Sequence, residues 1–176
     1  AELRVGEQES GRGFSMEFWG ESPNLYGIAI QSPTGEKLEV STALKYGTQE
    51  LSFVFVETKV QVNYVPIERN SGNTLVFFRF LHPAAGIWKL EIEGRRNSPA
   101  RFHIWLPVQG LISEQTYFLE PDPEYTVTSP GDAADGMTVT AYQQRDGSLF
   151  AKASRGYTAS QMVKPDFAAP GVEVKT

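Results

Sequence analysis

The stretch Trp88-Lys89-Leu90-Glu91-Ile92-Glu93 alternates strictly between apolar and charged side chains. Successive side chains of a β-strand point to opposite faces, so this spacing predicts a strand with three apolar residues in a core and three charges in solvent. The run from Leu75 to Leu81 is apolar enough to predict a more fully buried strand. The same alternation as in the first stretch recurs at Phe14–Phe18, Val60–Tyr64 and Phe102–Leu106.

Turn-forming residues separate these runs. Glycine, proline, asparagine and serine favour turns because of their backbone freedom, fixed φ or local hydrogen bonds. Short strands at this spacing, with no convincing helical period before Pro107, predict an all-β domain over residues 1–107. We expect an antiparallel β-sandwich of the jelly-roll type. The predicted turns are Ser32–Gly35, Asn70–Asn73, Pro83–Gly86 and Arg96–Pro99.

The pattern changes after Pro107. Residues 108–124 end in Glu120-Pro121-Asp122-Pro123-Glu124, where two prolines and three acids disfavour regular structure. We therefore predict a linker or loop there. In residues 125–176, Met137–Tyr142 and Leu149–Ser154 are predicted as short strands, but apolar residues are too few for an independent core. This part is expected to pack on the sandwich or to belong to a larger sheet.

The composition argues against several classes of protein. The chain has 176 residues, of which 40% are hydrophobic and 21% charged, with a net charge of -5 and no cysteine. A folded protein is indicated, without the basic excess that binding to nucleic acid requires. No apolar run reaches the ~18 residues of a transmembrane helix. We expect no nucleic-acid partner, no membrane span and no cofactor.

Residues that commonly bind metals are present but poorly arranged. His82 and His103 are far apart in sequence, and each is predicted to be a surface or strand-edge residue rather than a zinc ligand. Four loop acids form two pairs whose spacing does not match a calcium-binding loop. We predict no metal site at these acids, which are Asp122, Glu124, Asp132 and Asp135.

The tryptophans differ in their predicted environment. Trp88 lies on the apolar side of its strand and is predicted to be a core residue. Trp105 lies on the polar side of its strand and is the better candidate for an exposed aromatic ring, as for stacking on a sugar. Contact with a neighbouring domain is the interpretation we favour for Trp105.

Three segments of the C-terminal part resemble, in order and spacing, the region that precedes the nucleophile in subtilisin-like serine proteases (subtilases). The last of them is similar to the K-P-D-x-x-A-P-G-V segment of that family, and the sandwich resembles the jelly-roll insert of its clostridial germination-type members. The segments are Met137–Tyr142, then Phe150–Gly156 with Ser154-Arg155-Gly156, then Lys164-Pro165-Asp166 with Ala169-Pro170-Gly171-Val172.

The resemblance implies that residues 125–176 are β pieces of an α/β protease domain that resumes after the insert. The catalytic Asp, His and Ser and the oxyanion Asn are then expected outside this chain, so no catalytic residue is assigned within it. Ser129, Pro130 and Gly131 are expected near the substrate-specificity pocket. The motif residues Ser154, Arg155, Gly156, Lys164, Pro165, Asp166, Ala169, Pro170 and Gly171 are expected to have a structural role.

The resemblance also implies partners and a location. We call the complete protease, of which this chain would be a segment, the parent. The expected partners are the rest of the parent protease domain, a polypeptide substrate of the parent and, through unpaired β segments, a second copy of the chain. For such a parent we expect an extracytoplasmic location or an association with the spore or cell envelope. The alternative is an independent β-sandwich module that binds carbohydrate or a protein, with a disordered C-terminal tail.

Overall fold

The computed structural model describes residues 1–42, 48–94, 100–108 and 110–174. The chain divides into two compact units, Ala1–Glu120 and Pro121–Thr176, which are considered separately. Within the described residues the fold is almost entirely β, as predicted, and the short helix present is not long or apolar enough to cross a membrane. The predicted turn at Arg96–Pro99 lies outside the described residues.

The first unit contains two five-stranded antiparallel sheets. One has the strand order β10-β1-β8-β3-β4 and the other the order β5-β6-β7-β2-β9. A single-turn helix, α1 (Glu9–Arg12), follows the first strand. The strands are β1 (Glu2–Val5), β2 (Phe14–Gly20), β3 (Tyr26–Gln31), β4 (Lys37–Glu39), β5 (Thr48–Ser52), β6 (Lys59–Val65), β7 (Thr74–Leu81), β8 (Gly86–Gly94), β9 (Phe102–Trp105) and β10 (Tyr117–Phe118).

One core lies between these two sheets, so the predicted sandwich is confirmed. Trp88 of β8 is fully buried and meets Phe80 of the opposite sheet edge-on, with ring centroids 5.5 Å apart. Phe14 and Phe80 face each other on neighbouring strands and stack at 4.6 Å. Aromatic pairs of this kind add to the stabilisation from burial itself. The jelly-roll designation stays a prediction.

The strand β7 is not fully buried, and that part of the prediction is wrong. Val76, Phe78 and Phe80 are buried, whereas Phe77 is 38% exposed. The strand is apolar on both sides, but only one side faces the core. Its other side belongs to the outer surface of the sandwich.

Residues up to Glu120 belong to the first unit, so most of the segment 108–124 predicted as a linker or loop is part of that unit. Leu3 and Arg4 of β1 pair with Phe118 and Tyr117 of β10. The backbone N–H of Ser113 donates to the buried carboxylate of Glu9 at 2.7 Å. These contacts place the boundary between the units after Glu120 rather than at residue 107.

The second unit contains two small sheets. One pairs β11 (Val139–Gln143) with β14 (Phe167–Val172) in parallel, and the other pairs β12 (Gly156–Tyr157) with β13 (Val163–Lys164) antiparallel. The predicted strand at Leu149–Ser154 is wrong. Leu149 makes only an isolated bridge to Tyr142, and the chain then turns, with the N–H of Ala153 donating to the carbonyl of Phe150.

Two adjacent residues of β7 test the assignment of the core. Phe78→Ala is expected to lower the free energy of unfolding by about 3–5 kcal/mol, because it removes a fully buried ring and leaves a cavity. Phe77→Ala, on the other side of the strand, should cost about 1 kcal/mol or less. Urea denaturation followed by tryptophan fluorescence measures both. Equal losses for the two variants would contradict the assignment of faces.

Candidate functional site

The centre of the second unit is the buried side chain of Lys164, which is 4% exposed. Its Nζ donates hydrogen bonds to the carbonyl oxygen of Gly136 and to Oδ2 of Asp166, both at 2.7 Å. A buried amine is costly unless such acceptors compensate for lost hydration. Lys164, the last residue of β13, therefore joins Asp166, which directly precedes β14, to the loop that precedes β11.

Asp166 completes this link through the backbone of Thr138. Its Oδ2 accepts the N–H of Thr138 at 2.7 Å, and its own N–H donates to the carbonyl of Thr138 at 2.8 Å. The hydrogen bond from Lys164, followed by that from the Thr138 amide, lowers the pKa of the Asp166 carboxyl. The hydroxyl of Thr138 donates to the carbonyl of Gly131 at 2.6 Å. We call Gly131, Gly136, Thr138, Lys164 and Asp166 the junction.

The parallel strands β11 and β14 run on from the junction. Ala141 lies opposite Ala169 and Tyr142 opposite Pro170, and the register then shifts before Gln143 pairs with Val172. A Cβ on Gly171 would lie 2.7 Å from the Cβ of Ala141. The close approach of the two strands at this shift requires glycine.

Gly156 anchors the β12 side of the unit and pairs directly with Lys164 of β13. Its φ is +106°, and a Cβ there would lie 1.8 Å from the carbonyl oxygen of Glu124. That carbonyl accepts the N–H of Tyr157 at 2.7 Å, and the N–H of Arg155 donates to the Thr126 hydroxyl at 2.9 Å. Only glycine fits between these segments.

The remaining predicted residues lie around these two anchors. Ser129 and Pro130 are exposed, and the Ser129 hydroxyl donates to Oδ1 of Asp132 at 2.8 Å. The Thr140 hydroxyl donates to the carbonyl of Ser154 at 3.3 Å. Of the three residues predicted near a specificity pocket, only Gly131 belongs to the junction. Their role at a substrate pocket stays a prediction.

Sequence reasoning did not identify Gly136, Thr138 or Glu124 as parts of this arrangement. Each contributes through backbone groups, which have no signature in the residue type, and Thr138 contributes through its hydroxyl as well. The sequence places Thr138 in a strand that resembles a subtilase segment and Glu124 in an acidic loop, without a role for either at this site. The pairing of Lys164 with Asp166 two residues later was the one available signal.

The junction has the chemistry of a cross-link rather than of a reactive centre. A serine protease triad needs a histidine between a carboxylate and a serine, and residues 121–176 contain no histidine. His82 of the first unit has its Nδ1 3.2 Å from the backbone carbonyl of Ser10. Across the described ranges, no three side chains of His, Asp or Glu gather as metal ligands.

The fold is similar to one found in a solved protease structure. The structure of the Clostridium perfringens CspB protease matches 97% of this chain with a TM-score of 0.78 and 24% sequence identity. This chain covers 35% of the length of that chain. No family model and no curated protein matches the sequence. At this identity, the similarity to CspB establishes the fold alone.

The pH dependence of the junction follows from the lowered pKa of Asp166. The ionised carboxylate contributes stability that is fully present above the unfolded pKa, about 4, and is lost as the pH falls through the lower folded pKa. We expect the protection of the Thr138 amide against hydrogen exchange to decrease on acidification. In Asp166→Asn, this protection should be weak at neutral pH and should change little with pH.

Asp132→Asn is the matched control, because Asp132 accepts the Ser129 hydroxyl and is not part of the junction. It should retain the pH profile of the wild type at Thr138. An unchanged profile in Asp166→Asn would show that this carboxylate does not hold the junction.

Two glycines with positive φ separate the effect of crowding from that of backbone conformation. Gly156→Ala should destabilise the second unit by about 2 kcal/mol or more, because it adds a clash with Glu124 to an unfavourable φ. Gly147→Ala has φ of +72° but nothing within 4 Å of its Cβ, so its cost should be about 1 kcal/mol. Hydrogen exchange of the β12 and β13 amides measures the difference. Equal costs would contradict the close approach at Gly156.

Proposed function

We propose that this chain is part of a subtilisin-like serine endopeptidase. In this proposal the first unit is a jelly-roll insert, and residues 125–176 are a segment of the catalytic domain, reached through the chain around residues 108–124. The observation that carries the proposal is the parallel pair β11–β14, joined by the Lys164–Asp166 junction. The strands of this pair lie in two of the three segments whose sequence resembles subtilases, and the other segment, Phe150–Gly156, leads into β12 between them.

A parallel pair of strands is unusual as an isolated element. Parallel strands need a long crossover, usually helical, and parallel sheets are normally covered on both faces. Here residues 144–166 connect the strands through β12 and β13 without a helix. Val139 and Phe167, opposite each other in register, are 49% and 50% exposed. A two-stranded sheet with apolar side chains exposed in this way has marginal stability by itself. This supports the proposal that the pair belongs to a larger sheet.

The remainder of the parent would supply that sheet and the reactive groups. The parent would cleave peptide bonds of a polypeptide substrate through an acyl-enzyme intermediate, with a serine nucleophile, a histidine base and an orienting aspartate. Such chemistry requires no cofactor. The residues of this chain would not react with the substrate. They would position the backbone of the parent, because the junction fixes β14 relative to β11 and to Gly131.

The partners of the second unit follow from the same exposed strands. The first is the rest of the protease domain, which would extend the β11–β14 pair and cover its faces. In its absence, a second copy of the chain is a substitute partner for the unpaired strand edges. An extracytoplasmic or spore-envelope location of the parent remains part of the proposal.

The alternative of an independent binding module predicts a disordered C-terminal tail. Hydrogen bonds instead join Glu124 to Tyr157, Thr126 to Arg155, and Thr138 to Asp166 within the second unit. This ordered network favours the protease proposal for residues 121–174.

Labelling with a fluorophosphonate probe tests the proposed function. The 176-residue chain should show no labelling, because the proposal puts the nucleophile elsewhere in the parent. The full product of the gene should be labelled at a serine downstream of Val174, and replacing that serine by alanine should abolish both labelling and peptide hydrolysis. Stoichiometric labelling of the chain alone, or a full product without labelling, would contradict the proposal.

A further inference from the structure

The outer face of the β5-β6-β7-β2-β9 sheet carries an ordered set of aromatic and polar side chains. Pairing registers place Asn63, Phe77, Glu17 and Trp105 in one row across four adjacent strands. Trp19 lies next to this row on β2. Because the neighbouring residues Met16, Phe18, Val62, Phe78 and Val76 are buried in the core, period-two alternation directs the row to the opposite side of the sheet.

Aromatic rings occupy the middle and one end of this outer face. Phe77 is 38% exposed, and Trp19 and Trp105 are half-buried. The Trp105 ring lies 6.4 Å from that of His103, its neighbour along β9. Aromatic residues gathered on the outside of a sheet indicate a binding surface more often than isolated exposed residues do.

Planar hydrogen-bonding groups lie beside the rings. Oε2 of Glu17 accepts the indole N–H of Trp19 at 2.9 Å, which fixes both side chains on the face. The guanidinium of Arg79, on β7, donates to the Ser15 hydroxyl and to the carbonyl of Arg12. Asn63 is exposed at the other end of the row. By the same register, Gln61 lies beside Arg79 and Glu50 beside Gln61, and Lys59 Nζ pairs with Oε1 of Glu50 at 3.0 Å. The face thus carries carboxylate, cationic and amide groups, with His103 next to Trp19.

We propose that this outer face binds a neutral oligosaccharide, in place of the contact with a neighbouring domain that the sequence alone favours for Trp105. A pyranose has apolar C–H faces that pack on aromatic rings and a rim of hydroxyls that both donate and accept hydrogen bonds. Carboxylate, amide and guanidinium groups are the side chains that pair with such hydroxyls. The charges of Glu17 and Arg79 offset each other, and those of Glu50 and Lys59 do so in an ion pair, which complements a neutral ligand and gives no net attraction for phosphates or anionic lipid headgroups.

The dimensions of the face also suit a chain-like ligand. Asn63 and Trp105 are separated by three strand spacings, which is about 14 Å. This length accommodates a short oligosaccharide that runs across the strands, with rings and hydrogen-bonding groups alternating beneath it. The proposal uses residues of the first unit only, so it stands or falls independently of the proposed protease function.

Titration of the 176-residue chain with chitohexaose, cellohexaose and mannohexaose tests this proposal. At least one of these is expected to bind, with a change in tryptophan fluorescence and a heat signal in calorimetry. Trp105→Ala and Trp19→Ala should each weaken that binding by about tenfold or more, as truncation of a central aromatic contact does. Asn63→Ala, which changes an exposed side chain and should not disturb folding, should weaken binding severalfold.

Phe55→Ala is the matched control. Phe55 is an aromatic ring that is 73% exposed on the loop between β5 and β6, outside the proposed surface, so this variant should bind like the wild type. Absence of binding by all three oligosaccharides at millimolar concentration would overturn the proposal. Binding that is unchanged in the Trp19, Trp105 and Asn63 variants would also overturn it. So would a dimer in sedimentation that Trp105→Ala converts to a monomer, because the face would then be a protein contact.

Discussion

The contact of Trp88 with the opposite sheet determines which side of each strand in the first unit faces the core. Its indole meets the rings of Phe53 and Phe80 at 5.1 and 5.5 Å, and its N–H donates to the carbonyl of Ala84 at 2.9 Å. With this side of β8 in the core, period-two alternation fixes which side of each paired strand is buried. In the other sheet, Phe80 packs on Trp88 and so fixes the inner side of β7. The pairing of β7 with β2, and of β2 with β9, then directs Trp19 and Trp105 outward, so the core also defines the proposed sugar-binding face.

The second unit depends on a different interaction. It has few buried apolar side chains, and its strands are held by the hydrogen bonds of Lys164 and Asp166 to Gly136 and Thr138. The carboxylate of Asp166 is 36% exposed, so solvent screening limits what the ion pair adds to stability. The unit therefore has a defined geometry without the burial that stabilises an independent domain, as expected for a segment of a larger sheet.

The sequence predicts those parts of the molecule in which the side chains themselves carry the pattern. Strands β2, β6 and β8 are half-buried, so their alternation is visible in the sequence. The prediction of a fully buried β7 is wrong at Phe77, because the sequence does not distinguish an apolar residue on an outer face from one in the core. The attachment of residues 108–120 depends on backbone pairing with β1 and on Glu9, neither of which has a local signal. At the junction, the family resemblance predicts a structural role for Lys164 and Asp166, whereas Gly136 acts through a backbone carbonyl and Thr138 through its backbone and its hydroxyl.

Hydrogen exchange of the β11 and β14 amides, compared between this chain and the full product of its gene, tests the central claim most directly. The account predicts rapid exchange at the outer edges of these strands in the 176-residue chain and strong protection in the full product, while β2 and β7 are equally protected in both. Protection of β11 and β14 in the chain alone that equals the protection of β2 and β7 would contradict the claim. The second unit would then be a complete domain rather than part of a larger sheet.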